Sequence, residues 1–182
     1  KVMPAENRLS GEAAYWSSLL ACIEMIKSGT TCFLDMHMFK SQVCEAVKKA
    51  GMRAFIGRGL VGEDLYKDGY SRFLEAMDER TLYENEVIKF VLSPHAVYSC
   101  SRRLLKQVSE EAQAKRMMKQ IHLSESDFEV ETTMKKYGRR PVELLADLGF
   151  LDENTILSHC VKLTEKEIDF IKQNKSSVVT NP

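Results

Sequence analysis

The feature that most constrains this chain is a regular alternation of short β-rich runs with stretches of helical periodicity. "TTCFLDM" (30–36), "MRAFIGRG" (52–59), "VIKFVLS" (87–93), "MMKQIH" (117–122), "TILSHC" (155–160) and "SSVVT" (176–180) read as strands. Helices fill the gaps. Ser10 can cap the first, whose Trp16, Leu19, Leu20, Ile23 and Ile26 recur at helical spacing until Gly29. Val43, Ala46, Val47 and Ala50 form the next stripe, closed by Gly51. Residues 70–84 form a third, and Ser101 opens a fourth that carries Leu104, Leu105, Val108 and Ala112. Ser126 with Glu129, and Thr164 with Glu167, have the spacing of capping boxes, and Pro141 begins a short helix through Leu148.

Strict strand–helix alternation implies a parallel sheet with right-handed crossovers. The fold class is therefore α/β. No G-x-G-x-x-G or Walker loop follows any of these strands, which counts against a nucleotide-cradling doubly wound sheet. A closed (β/α)8 TIM-type barrel runs to about 250 residues. Six strands in 182 residues fit the central part of such a barrel, with residues 1–182 as one domain and the first and last barrel strands absent.

Composition narrows the partners. Lys and Arg (26) balance Asp and Glu (26), so no global field favours nucleic acid or an anionic membrane, and a small molecule is the expected partner. "CFLDMHMF" is too short and too polar to span a bilayer. The five cysteines are odd in number and form no C-x-x-C pair, which points to a reducing, cytoplasmic setting. A barrel piece with open strand edges should seek a partner, so a homo-oligomer is expected.

The four histidines carry the functional signal. His37, His95, His122 and His159 each fall at, or within two residues of, the C-terminal end of an expected strand. In a parallel barrel those ends share one rim, where active sites are built. Imidazole is the commonest metal ligand, so the set suggests a mononuclear metal site. In "MKQIHLSES" (118–126), His122 ends its strand and Glu125 lies in the turn beyond it. A ligand histidine beside a carboxylate that can shuttle a proton is what hydrolytic deamination requires. An acid at a helix start is also favoured by the helix dipole alone.

"PAENRLSGE" (4–12), "SGTTCFLDM" (28–36), "GMRAFIGRGLVG" (51–62), "LSPHAVYSCS" (92–101), "IHLSES" (121–126) and "ILSHCVKLTEKEI" (156–168) together give a more specific signal. In this order they resemble the amidohydrolase superfamily, in particular its methylthioadenosine/S-adenosylhomocysteine deaminase and chlorohydrolase-like branch. The resemblance implies one divalent metal, zinc before iron or manganese, with His122 as a ligand. It implies Glu125 as the proton shuttle and His159 beside the metal, contacting the attacked group or the water. It assigns His95 to the substrate, and Glu6 and Arg58 to the ribose or its 5′ substituent. The implied substrate is an adenine nucleoside thioether, deaminated to its inosine analogue.

The sequence also departs from that pattern. The family's H-x-H pair would fall before Lys1 and its last aspartate ligand beyond Pro182. The isolated chain is therefore expected to hold metal weakly or not at all and to be inactive. Thr180 stands where histidine is common before Asn-Pro, and His37 where an aromatic residue is common after "DM". Both leave the exact amine open. The rival readings are another amidohydrolase acting on a guanine, triazine or pterin, and a metal-free assembly module.

Overall fold

The computed structural model describes residues 8–181. Along the chain these form α1 (Gly11–Lys27), β1 (Cys32–His37), α2 (Lys40–Ala50), β2 (Arg53–Leu60), α3 (Tyr70–Tyr83), β3 (Ile88–Pro94) and α4 (Arg102–Lys115). They continue with β4 (Lys119–Leu123), α5 (Asp127–Tyr137), α6 (Pro141–Asp147), β5 (Thr155–His159), α7 (Glu165–Gln173) and β6 (Ser177–Val179). The six strands lie in chain order in one sheet. Pairing is parallel between β1 and β2, β3 and β4, β4 and β5, and β5 and β6. The expected strand order and direction are therefore present, with strand ends within two residues of those read from the sequence.

The chain divides into two compact units, Lys1–Arg58 with Glu75–Phe90, and Gly59–Leu74 with Val91–Pro182. In the first, Val43, Ala46 and Val47 of α2 and Ala54 and Ile56 of β2 are buried. Gly51 supplies the left-handed residue (φ 72°) that ends α2, a conformation glycine adopts without steric cost. Lys40 is fully buried at the start of α2, its Nζ 2.7 Å from Asp35 Oδ2 on β1. Burial pushes its pKa down, and the facing Asp35 carboxylate opposes that shift. The apolar stripe of α1 is left largely uncovered. Trp16, Leu20, Ile23 and Ile26 are exposed among the described residues, while Ala14 and Cys22 are buried. Helices α1 and α2 pack closely, and small side chains allow that approach.

The second unit is built on Leu92 of β3, Leu104, Leu105 and Val108 of α4, Ile121 and Leu123 of β4, Leu144 and Leu145 of α6, Phe150, and Leu157 of β5, all buried. Burying a side chain of this size stabilises by roughly 1.5–3 kcal/mol relative to exposure. Within the core Gln120 is also buried and donates to Ser93 Oγ at 2.9 Å, so adjacent strands are tied by side chains as well as backbone. The helix starts follow the sequence. Ser101 caps α4, and Thr164 and Glu167 close a full capping box on α7.

Candidate active site

Three strand ends of the second unit bring its candidate side chains together. β3 ends at Pro94 and β5 at His159, while His122 is the penultimate residue of β4. The His122 ring lies 5.2 Å from that of His95 and stacks at 5.3 Å and 24° on that of His159. Glu125 Oε2 is 3.9 Å from His159 Nε2, within ion-pair range and beyond a hydrogen bond.

The His122 tautomer is fixed by its neighbour. The His95 carbonyl oxygen accepts from both the His122 backbone N–H (3.1 Å) and its ring Nδ1 (2.9 Å). A carbonyl only accepts, so Nδ1 carries a proton, and it is Nε2 of the neutral ring that would present a lone pair. This is the arrangement of a metal-ligand histidine. His95 is itself held by Ser99, whose Oγ lies 2.9 Å from His95 Nδ1. Burial holds the His95 pKa below its ordinary value, with His122 and Arg72 adding to the effect and Glu125 opposing it.

The backbone around these residues is unusual. Ser124 (φ 50°), His159 (φ 74°) and Cys160 (φ 53°) are left-handed without being glycine. Each such residue costs on the order of 1–3 kcal/mol and persists only where its surroundings enforce it. Here they do: Cys160 N–H donates to Leu123 O at 2.9 Å, and Lys162 N–H to Ser124 O at 2.8 Å. The two strand exits thus lock one another. Burial pushes the neighbouring Cys160 thiol up to about 12, which makes it a poor nucleophile.

The turn between β4 and α5 differs in one respect from its sequence reading. Ser126 caps α5, its Oγ accepting from Glu129 N–H at 3.4 Å. The reciprocal half of a capping box is not made. Glu129 instead reaches one residue further back, its Oε2 accepting from Glu125 N–H at 3.0 Å. At the far end of α5, Gly138 (φ 64°) provides the left-handed stop.

Two aromatic side chains, absent from the sequence reading, extend the cluster outward. Tyr98 stands edge-on to His95 at 5.8 Å and edge-on to Phe128 at 5.8 Å. Phe128 is 64% exposed, and it follows Glu125 by only three residues. An exposed phenyl edge beside polar rings is a surface on which planar ligands stack.

The other expected site residues belong to the first unit or fall outside the described residues. His37 ends β1 in the first unit, where its Nδ1 accepts from Phe39 N–H at 3.4 Å and its ring approaches that of Phe39 at 6.0 Å. Arg58, on β2 of the same unit, donates from Nε to Glu75 Oε2 at 2.9 Å. Glu6 lies outside the described residues, as does the chain's last residue.

Among the described residues no group of three His, Cys, Asp or Glu side chains is arranged to hold a metal ion. What they offer is one ligand position, His122 Nε2, with a carboxylate and a second imidazole nearby.

The sequence model of the amidohydrolase family matches residues 3–182. The chain belongs to the amidohydrolase family. It is 40% identical to the 5-methylthioadenosine/S-adenosylhomocysteine deaminase of Syntrophobacter fumaroxidans, a match covering all of this chain and 42% of that protein. It is also 40% identical to 5-methylthioadenosine/S-adenosylhomocysteine deaminase 2 of Archaeoglobus fulgidus, covering all of this chain and 44% of the relative. The chain thus spans less than half the length of these relatives. Among solved structures, an adenosine deaminase from Xanthomonas campestris with bound zinc superposes with a TM-score of 0.91 at 26% identity, covering 100% of this chain and 42% of that one. The six parallel strands and their helices are thus the (β/α) repeat of an amidohydrolase barrel. No described helix is long and apolar enough to cross a membrane.

Proposed function

We propose that the full-length protein is a metal-dependent hydrolase that deaminates an adenine nucleoside thioether, methylthioadenosine or S-adenosylhomocysteine, to the inosine analogue. The observation that carries this reading is the placing of Glu125 beside the stacked pair of His122 and His159. The two deaminase relatives, at 40% identity over the whole chain, support the substrate class.

In this reading His122 holds a divalent metal through Nε2, and residues elsewhere in the full-length protein complete the set. The metal, zinc before iron or manganese, would lower the pKa of its water toward neutrality. The zinc named with the Xanthomonas campestris structure supports that choice. Glu125 is half exposed, with no cation closer than 3.9 Å to occupy its carboxylate. It takes the proton of the attacking water and delivers it to the purine ring nitrogen next to the carbon bearing the amine. His159 then faces the developing charge on the attacked group. His95, tied through Ser99, presents its ring edge to the substrate. For Arg58 and Glu6 the support is the resemblance alone: a guanidinium fork and a carboxylate suited to hydroxyls or a terminal carboxylate. Because Arg58 already serves Glu75 through Nε, its remaining N–H groups would make that contact.

We further propose that the protein works as a homo-oligomer in the cytoplasm, on small molecules rather than nucleic acid or membranes. Five free cysteines support a reducing compartment.

The test is ammonia release by the full-length, metal-loaded protein on a panel of methylthioadenosine, S-adenosylhomocysteine, adenosine, guanine, an amino-triazine and a pterin amine. Highest kcat/KM on a thioether is expected. Preference for guanine, a triazine or a pterin would replace the substrate assignment.

A further inference from the structure

Glu129 is the most deeply buried acid near the candidate site, 1% exposed, and among the described residues no cation pairs with it. One oxygen, Oε1, is buried without a hydrogen-bond partner. The other accepts from the backbone N–H of Glu125 at 3.0 Å. An unpaired carboxylate in the interior is costly unless it is held for a purpose. Helix capping does not require it, because Ser126 Oγ already takes the Glu129 amide, and Thr133 Oγ1 donates to the Glu129 carbonyl at 2.7 Å.

We propose that Glu129 is a positioning residue for the proposed deamination: its carboxylate fixes the turn that aims Glu125 at the substrate. The inference rests on the proton-shuttle reading of Glu125. The turn has two anchors. Ser124 O is held by Lys162 N–H, and Glu125 N–H by Glu129. The first anchor fixes the turn against the exit of β5. The second ties the Glu125 backbone to the first turn of α5. Glu125's side chain is about half exposed and has no hydrogen-bond partner of its own, so its direction depends on the backbone beneath it. A displacement of about 1 Å at a reacting group can cost on the order of 100-fold in rate.

The experiment compares four variants of the full-length, metal-loaded protein. Glu129→Gln keeps a carbonyl acceptor at the same reach. Glu129→Met removes it at similar volume. Thr133→Val removes a buried hydrogen bond of the same helix without touching the Glu125 amide. Glu125→Gln tests the reading beneath. Expected for Glu129→Met is a kcat lower by roughly 10–100-fold with KM within about twofold, at a confirmed folded fraction. Glu129→Gln should restore kcat to within about threefold of wild type. Thr133→Val should lower the melting temperature and leave kcat unchanged.

Amide hydrogen exchange gives a readout independent of turnover. The Glu125 amide should exchange at least about tenfold faster in Glu129→Met and near the wild-type rate in Glu129→Gln. An unchanged kcat in Glu129→Met overturns the proposal, as does an equal kcat loss in Thr133→Val. If Glu125→Gln keeps full turnover, it is the shuttle reading that has failed. If Glu125→Gln is crippled and Glu129→Met is not, it is the positioning that has failed.

Discussion

The turns after β4 and β5 carry the same sequence signature and use it differently. Each has a histidine near the strand end, then a hydroxyl residue, then glutamate three positions on: Ser126 and Glu129 in one, Thr164 and Glu167 in the other. Both glutamates are buried, at 1% and 0% exposure. Glu167 closes its own box, with Oε2 accepting from Thr164 N–H at 3.0 Å, and it pairs with Arg140 Nε at 2.7 Å. Among the described residues no cation pairs with Glu129, which serves the amide of Glu125 instead. The difference teaches that a buried capping carboxylate is structural where its charge is balanced. Where it is unbalanced, its acceptor has been lent to a neighbour.

The largest effect that could break this comparison is at Glu125. In the full-length protein Glu125→Gln should lower kcat by on the order of 10²–10⁴ while metal is retained, measured by steady-state kinetics with metal analysis. His122→Ala should lose metal and activity together. Should Glu125→Gln turn over normally, Glu129 would be supporting nothing catalytic and the two turns would be equivalent.

Next in size is the balanced side. Arg140→Met strands Glu167 in the interior and removes the donor to Lys162 O (2.6 Å). Breaking a buried ion pair from one side costs about 3–5 kcal/mol. Because the Arg140 side chain is partly exposed, the lower end is expected, read as a fall in denaturation midpoint. Activity per folded molecule should fall less than in Glu129→Met, because Arg140 reaches the Glu125 turn only through Lys162.

A smaller effect separates the two glutamates by pH. Burial raises the Glu129 pKa, with the hydrogen bond from the Glu125 backbone opposing it. A carboxyl whose folded pKa lies above its unfolded value stabilises at low pH and loses that contribution as pH rises through the folded value. Glu129→Gln should therefore be more stable than wild type at neutral pH, with the advantage vanishing in acid below the unfolded carboxyl range. A pH series of thermal melts reads this directly, and an advantage that grew toward acid would contradict it. Smallest is Phe128→Ala. Loss of an exposed stacking edge worth about 0.5–1.5 kcal/mol should raise KM by up to roughly tenfold at constant kcat.

Much of this arrangement was legible in the sequence. Strand–helix alternation predicts the parallel order, because each apolar run is too short for anything but a strand between helical stripes. The histidines could be placed because strand ends are marked by where apolar residues stop. The destination of Glu129 could not. S-x-x-E spacing says that a carboxylate folds back, but the amides of residues 125 and 126 both lie within its reach. Tyr98 and Phe128 meet across 30 residues of chain, a contact that no local pattern records. The exposure of the α1 stripe was not legible either: helical periodicity marks an apolar face without saying which partner covers it. Lys40 was equally hidden, since a lysine opening a helix reads as solvated until Asp35 is found facing it.

Ser124 bears on attempts to make this protein more heat-resistant. It is left-handed at φ 50°, and its fully buried hydroxyl finds no hydrogen-bond partner. A search for stabilising substitutions would select Ser124→Gly, which removes both defects at once. The same change would loosen the link between His122 and Glu125, the two residues whose relative aim the proposed chemistry needs most. Ser124→Gly should therefore survive heating better and turn over more slowly, so a screen scored on melting temperature alone would reward the loss of the catalyst.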